Sequence, residues 1–482
     1  MLFNSIDFAI FLPLVFLLYW TVFARSLKVQ NLFLLFVSAV FYAWWDWRFL
    51  GLVFFSAAVD YHVGRALERI DAPRHRKFLL AFSLVANLGM LGFFKYYDFF
   101  IVNFNSAFTL LGMPIGLRTL GVLLPVGISF YTFQTLSYTI DLYRKRITAS
   151  RDPVGFSAFV LFFPQLVAGP IERASELLPQ FERHRIFNMA QARDGLRQIL
   201  WGLFKKVVIA DNCARYVDTV YTDPGIMDGS TVALATALFA FQIYGDFSGY
   251  SDMAIGTARL LGFTLMRNFA YPYFSRDIAE FWRRWHISLS TWFRDYVYIP
   301  IGGSRGTKAL QIRNALIVFA VSGFWHGASW NFLIWGLLNG LYFVPLVLGG
   351  RNRTNMGIVA EGQRLPTLRE AWGMLTTFVL TCIAWVFFRA SDLTTAVEAY
   401  QSMLSSSMFV IPAKMFSGFM ATTLFSVAVL LTLEWFGRER QYGLQLDGML
   451  PKWGRICIYY GLVALIIALA PITAATFIYF QF

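Results

Sequence analysis

Long apolar stretches recur from one end of the chain to the other, and this feature most restricts the possible fold. Of the 482 residues, 57% are hydrophobic and only 14% are charged, whereas a soluble domain carries roughly 25% charged residues. A water-soluble protein of this length would lack the polar side chains needed to cover its surface. The composition therefore excludes a cytosolic globular enzyme, a disordered protein and a nucleic-acid-binding protein. It predicts an all-α, polytopic membrane protein, because a helix satisfies its own backbone hydrogen bonds.

A membrane-spanning helix needs about 20 mainly apolar residues, and about eleven stretches approach that length. The predicted spanning segments are 6–23, 31–45, 49–66, 78–94, 120–140, 231–261, 309–324, 331–348, 372–388, 416–436 and 456–480. Two other apolar stretches, 99–111 and 154–168, are short and interrupted by polar residues or proline. They are typical of re-entrant or in-plane helices, which a membrane tolerates only inside protein or beside water.

Basic residues predict the orientation, because lysine and arginine collect in cytoplasmic loops. The chain has a formal charge of +13, and the basic loops predicted to be cytoplasmic are 65–77, 144–151, 351–369 and 438–455. The charge-poor turns 46–48 and 95–98 alternate with them. This pattern places the N-terminus outside, on a first helix that is retained and not cleaved as a signal peptide.

His326 is the strongest candidate for chemistry. It lies in residues 321–330 (VSGFWHGASW), between two apolar segments. An ionisable group at membrane depth is costly and usually faces a cavity, and desolvation favours a neutral imidazole that can accept a proton from a hydroxyl. Gly323 and Gly327 would let another chain or a ligand approach closely. The alternative is a buried, hydrogen-bonded structural histidine.

His286 lies in a segment, 268–313, where aromatic and basic side chains alternate. This mixture predicts an amphipathic surface segment at the membrane boundary. If the segment is helical there, Trp282 and His286 share a face, and Arg283 lies one turn before His286. Its guanidinium can bind a phosphate or a carboxylate. A purely structural interfacial anchor explains the same pattern.

The remaining polar features favour structural roles. Asp246 and Asp252 lie in the stretch 242–252, which predicts a buried polar network between helices. His62, His75 and His184 are expected to be structural or solvated, and Cys213, Cys382 and Cys457 are too far apart to predict a disulfide or zinc site. The sequence has no phosphate-binding GxxxxGK[ST] loop, no HExxH zinc helix and no GxSxG nucleophile elbow.

Three stretches together resemble the membrane-bound O-acyltransferase family: 242–253 (QIYGDFSGYSDM), 277–298 (DIAEFWRRWHISLSTWFRDYVY) and 322–336 (SGFWHGASWNFLIWG). Residues 1–20 and 165–172 (QLVAGPIE) are similar to its bacterial polysaccharide branch, and the resemblance is weakest after about residue 351. It implies one membrane domain over 1–482 whose helices form a funnel or tunnel, with a catalytic core at roughly 120–350 and C-terminal helices at 372–480. It also implies two catalytic histidines, His326 and His286. The implied donor-binding or supporting residues are Arg283, Trp285, Asp246, Ser248, Trp325 and Asn331.

The resemblance implies an O-acetyltransferase of the bacterial inner membrane. Acetyl groups would come from cytoplasmic acetyl-CoA, or from a carrier, and cross the membrane to an extracytoplasmic polysaccharide such as alginate. A separate periplasmic or extracellular acetyltransferase would be a partner beside the membrane lipids, and neither a cofactor nor a metal is expected. The first alternative is D-alanyl transfer to teichoic acid, a branch that favours Asn at the position of Arg283. The second, a lipid-linked sugar transporter, is disfavoured because the sequence shows no internal repeat and no intramembrane acid relay.

Overall fold

A computed structural model describes residues 1–223, 226–471 and 477–478 of the chain. All regular structure in these ranges is helical, so the predicted all-α class is confirmed. The α-helices, numbered α1 to α20, are Ile6–Thr21, Leu27–Asp46, Leu50–Arg69, Pro73–Leu91, Tyr97–Leu110, Ile128–Tyr143, Pro153–Leu161, Phe163–Leu166, Ala174–Phe181, Met189–Leu203, Asp211–Thr222, Gly229–Leu260, Ile278–Arg284, Ile287–Phe293, Lys308–His326, Trp330–Leu348, Leu368–Arg389, Leu393–Met403, Gly418–Phe436 and Lys452–Leu469.

Six helical segments in the described residues are long and apolar enough to cross a membrane: Leu27–Arg69, Pro73–Leu110, Trp330–Leu348, Leu368–Arg389, Gly418–Phe436 and Lys452–Leu469. Several crossings are therefore supported by length and composition, while the count of about eleven is not confirmed. The predicted segment 120–140 was too long at its start, because Gly127 adopts a left-handed φ of 76° and α6 begins only after it. Part of the predicted segment 456–480 lies outside the described residues.

The first of two compact units comprises Met1–Ala192 and Thr257–Met266. Within it α3, α4 and α6 pack against one another, and α7 packs against α2, α3 and α9. The short apolar helices α7 and α8 are enclosed by protein, since Phe156, Phe159 and Phe163 have no exposed surface. This burial is what a short, interrupted apolar segment requires.

The second unit comprises Arg193–Gly256 and Arg267–Phe482. In this unit α15 and α16 form a helical hairpin, α16 also packs against α13 and α17, and a π-helical segment, Phe204–Ala210, contacts α11, α19 and α20. Both candidate histidines belong to this unit. The single domain over 1–482, and the funnel through it, stay predictions.

Candidate active site

His326 is the last residue of α15, immediately before the turn into α16. Its side chain is only 5% exposed. Aromatic rings surround it: the ring centroid of Trp335 lies 5.1 Å away, that of Phe388 lies 5.5 Å away and that of Trp325 lies 4.9 Å away. The prediction of an imidazole at a turn between two apolar helices is confirmed.

Two glycines bring α15 and α16 into close contact beside His326. A Cβ added to Gly323 would lie 2.2 Å from the carbonyl oxygen of Phe332, and one added to Gly327 would lie 2.2 Å from the Phe332 ring. Only residues without side chains fit at these two positions. The predicted close approach at these glycines is therefore confirmed, and the element that approaches is the following helix, α16.

His286 lies in the sharp turn between α13 and α14. Its backbone is left-handed, with φ 44° and ψ 55°, which is unusual for a residue with a side chain. Residues 268–270 hold the turn, because the amide of Ala270 donates to the carbonyl of Arg284 and the amide of Ile287 donates to the carbonyl of Asn268, both at 2.9 Å. A strained conformation held by its surroundings is a feature of functional sites.

The His286 imidazole is 1% exposed and packs between aromatic rings. Its ring centroid lies 4.6 Å from that of Phe247 and 6.2 Å from that of Trp325. Its Nδ1 lies 3.1 Å from Oδ1 of Asn268. Burial lowers the pKa of His286 to about 3, so its imidazole is neutral at physiological pH. Trp325 therefore contacts both histidines, since its ring centroid also lies 4.9 Å from that of His326.

Two sequence expectations for this region were wrong. The helix α13 ends at Arg284 and α14 begins at Ile287, so Trp282 and His286 do not share one helical face. The start of the predicted surface segment 268–313 is also not a surface, because the side chains of α13 and α14 are largely buried. Arginines and tryptophans that resemble an interfacial helix in sequence are here packed into the second unit.

A cavity of about 550 Å³ opens beside α13. Its lining contains five arginines and two glutamates, which makes it cationic: Arg267, Arg283, Arg284, Arg438, Arg440, Glu280 and Glu439. Arg283 donates to the carbonyls of Asn352 and Asn355, and Arg438 donates to the carbonyl of Val359. These guanidinium groups therefore hold the basic loop after α16 against the cavity.

The other predicted residues have structural partners. Asp246 forms an ion pair of 2.7 Å with Lys206 and accepts the amide of Ile478 at 2.6 Å. The Ser248 hydroxyl donates to the carbonyl one turn earlier in its own helix, and the Asn331 amide donates to the carbonyl of Ala390. The Trp285 ring stacks on Phe281, with 5.5 Å between centroids, and is 1% exposed. Their contacts stabilise the unit that holds the histidines.

Sequence reasoning missed four residues that lie beside the two histidines. Asn268 and Ser288 bond with each other beside His286, while Trp335 and Phe388 surround His326. Ser288 lies within the recognised motif, but Asn268 follows an unremarkable apolar stretch and gave no signal. Arg438 and Arg440, which line the cavity, come from the C-terminal part where the resemblance is weak.

Comparisons with known proteins identify the family. The pattern described as "MBOAT, membrane-bound O-acyltransferase family" matches residues 144–356, which include both histidines. The chain is 41% identical to the probable alginate O-acetylase of Azotobacter vinelandii over 84% of its own length and 78% of the relative. It is 36% identical to the peptidoglycan O-acetyltransferase of Helicobacter pylori, over 84% of the chain and 80% of the relative.

A more distant relative performs a related acyl transfer. The chain is 30% identical to the teichoic acid D-alanyltransferase of Streptococcus thermophilus over 55% of its own length and 68% of the relative. Three findings describe the same class of bacterial multi-pass membrane protein. They are the identity with a relative over most of the chain, the family match that includes His286 and His326, and several apolar helices of spanning length. The chain belongs to the membrane-bound O-acyltransferase family and is an O-acyltransferase.

Proposed function

We propose that this enzyme takes acetyl groups from a cytoplasmic acetyl thioester and passes them across the membrane for the O-acetylation of an extracytoplasmic polysaccharide such as alginate. The observation that carries the proposal is the pair of buried imidazoles, His286 and His326, which both contact the ring of Trp325. The acetyl group is favoured over D-alanyl because the O-acetylases match at higher identity and over more of the chain.

The reaction needs a base and little else. An acceptor hydroxyl attacks the thioester carbonyl, a new C–O bond forms as the C–S bond breaks, and the hydroxyl proton passes through an imidazole to the departing thiolate. His326 is the proposed base, because an imidazole in its neutral form can accept that proton. General-base catalysis contributes about 10²–10⁴-fold, a sufficient share for an already activated thioester.

The arginine-lined cavity is the proposed binding place for the donor's phosphates. Guanidinium groups bind phosphate through paired, charge-assisted hydrogen bonds. Arg440 is an exposed residue of the lining, and Arg284 lies only two residues before His286 in the chain. Acetyl-CoA has such phosphates, whereas acetyl-pantetheine lacks the phosphorylated adenosine.

The test offers the purified protein three thioesters and measures thiol release and acetyl transfer. Acetyl-CoA should be consumed, acetyl-pantetheine should be consumed with a higher KM, and a D-alanyl carrier protein should be ignored. Arg440→Gln should raise the KM for acetyl-CoA about two- to fivefold, the effect of one exposed ion pair, without changing that for acetyl-pantetheine. Arg118→Gln, an exposed arginine of the first unit, is the control. Consumption of the D-alanyl carrier alone would contradict the acetyl assignment.

The orientation is tested by labelling single cysteines in intact cells. Arg74→Cys and Arg353→Cys place exposed thiols in two basic loops that we propose to be cytoplasmic, and Arg48→Cys places one in a charge-poor turn. Replacing the exposed Cys457 by serine removes the native background. An impermeant reagent should label position 48 only. Labelling at 74 or 353 from outside would overturn the orientation and the direction of transfer.

A further inference from the structure

Asn268 is the point at which several hydrogen bonds converge beside His286. Its Oδ1 lies 3.1 Å from Nδ1 of His286, 3.2 Å from the backbone nitrogen of Ser288 and 2.9 Å from the Ser288 hydroxyl. Its Nδ2 donates to the hydroxyl of Ser251 at 3.2 Å. Asn268 is itself 1% exposed, so this cluster lies within the protein.

The hydrogen-bond partners of the Asn268 side-chain amide determine whether its oxygen or its nitrogen faces the imidazole of His286. A backbone N–H can only donate, so the atom of Asn268 that faces the amide of Ser288 is its oxygen. That same oxygen faces Nδ1 of His286. If Nδ1 carried no hydrogen, two acceptors would face each other at 3.1 Å. The Ser288 hydroxyl lies 3.4 Å from Nδ1 but closer to Asn268 Oδ1, at 2.9 Å, so it donates to Asn268. Nδ1 therefore carries the hydrogen and donates it to Asn268.

One nitrogen of a neutral imidazole carries hydrogen, and the other accepts. Because burial keeps the His286 ring neutral, the hydrogen on Nδ1 leaves Nε2 as the acceptor. The backbone carbonyl of Asn268 also accepts a hydrogen bond from the backbone amide of Ile287, at 2.9 Å. Asn268 therefore holds the turn with its backbone and the tautomer with its side chain.

We propose that Asn268 is a positioning residue which holds His286 as the Nδ1–H tautomer, in which Nε2 is the accepting nitrogen. This inference rests on the proposed function and refines it. In this tautomer His286 does not donate through Nε2 to the thioester carbonyl. It is suited instead to bind a hydroxyl, which is the acceptor's reacting group.

The tautomer is measured directly by nitrogen NMR of protein labelled with ¹⁵N-histidine in lipid nanodiscs. The chain has only five histidines, so a His286→Gln sample assigns the resonance by subtraction. We expect a protonated Nδ1 and an unprotonated Nε2 at neutral pH. A protonated Nε2 with a bare Nδ1 would overturn the inference.

Two substitutions at position 268 separate positioning from packing. Asn268→Leu keeps the volume but removes the acceptor, whereas Asn268→Asp keeps an acceptor for Nδ1 and for the amide of Ser288. We expect Asn268→Leu to lower kcat by about 10- to 100-fold, the loss seen when the partner that orients a metal-bound histidine is removed, with a small change in the KM for the donor. It should also give a mixture of tautomers. Asn268→Asp should retain the Nδ1–H signal and recover most of the rate.

The matched control is Asn339→Leu, a buried asparagine of α16 that donates to a carbonyl of its own helix. Its activity per folded protein should stay within about twofold of the wild type. Equal losses in Asn268→Leu and Asn268→Asp, with the Nδ1–H signal kept in both, would show a packing role only. If the wild-type protein consumes no acetyl thioester, the proposed function fails, while the NMR result still decides the tautomer.

Discussion

Asp60 in the first unit and His286 in the second are both buried polar side chains in a mostly apolar chain, and their surroundings use them differently. Asp60 Oδ1 accepts hydrogen bonds from the hydroxyls of Ser83 and Thr139, and its Oδ2 accepts from Asn87 at 2.9 Å. These four residues come from α3, α4 and α6. Both carboxylate oxygens are occupied by side chains of the same bundle, so the cluster links three helices.

The Asn268 cluster binds His286 through Nδ1 of the imidazole. Hydrogen bonding there fixes Nδ1, while the rings of Phe247, Phe269 and Trp325 surround the imidazole. The comparison teaches that a buried polar residue does not by itself mark an active site. What distinguishes the two clusters is that Asp60 links three helices, whereas Asn268 orients an imidazole through its Nδ1.

The largest effect is expected from His326→Gln, which tests whether the second unit contains the catalytic base. We expect acetyl transfer to fall by about 10²–10⁴-fold, because the proposed base is removed, while the amount of protein in the membrane stays unchanged. Acetylation of the polysaccharide in cells and thioester consumption by the purified protein both measure it. His62→Gln, an exposed histidine of the first unit, is the control. Undiminished acetylation in His326→Gln would remove the catalytic assignment.

The second test asks whether the two histidines act together. His286→Gln should lower the rate by about 10- to 100-fold, less than His326→Gln, because it removes an oriented contact and not the base. Residues that act as a unit show non-additive losses, so the double variant should lose little more than His326→Gln alone. If the two losses multiply, the histidines act independently, and their shared contact with Trp325 has no functional meaning.

The sequence predicted the helical class and singled out both histidines as candidates, because composition and motif letters are local properties. It identified His326 correctly as a residue at a helix–helix turn, since the apolar segments on either side are long. It failed at 285–286, where the motif letters are compatible with a continuous helix. The break depends on hydrogen bonds from residues 268–270, which lie too far away in the sequence for any helical periodicity to show.

The cationic cavity and the Asp60 network were equally hidden for a physical reason. Arg438 lines the cavity together with Arg283, although the two are far apart in the sequence, and Asp60 finds partners in two other helices. Which helices become neighbours depends on packing and not on local sequence pattern. The count of spanning helices was difficult for a similar reason, because apolar helices such as α7 are buried by protein instead of lipid.

Asp60→Leu tests the other side of the comparison. The substitution removes the acceptor of three donors, and we expect unfolding free energy to fall by about 1–3 kcal/mol. The loss is limited because serine and threonine can turn to carbonyls of their own helices, and Asn87 already donates to the carbonyl of Ser83 as well. Thermal unfolding in detergent measures stability, and thioester consumption per folded protein should be unchanged. A variant that is fully stable but inactive would make Asp60 a functional residue.

The sharpest and smallest test removes one hydroxyl from each cluster. Ser83→Ala leaves Asp60 with Thr139 and Asn87, so stability should fall by about 0.6 kcal/mol, the average for a side-chain hydrogen bond in a membrane protein, with activity unchanged. Ser288→Ala keeps the backbone amide that orients Asn268 and should reduce the rate about threefold, which corresponds to a similar energy, with little change in unfolding temperature. The two substitutions delete the same atom from equally buried sites. If both variants change only stability, or both change only rate, the two clusters serve the same purpose and the distinction between them fails.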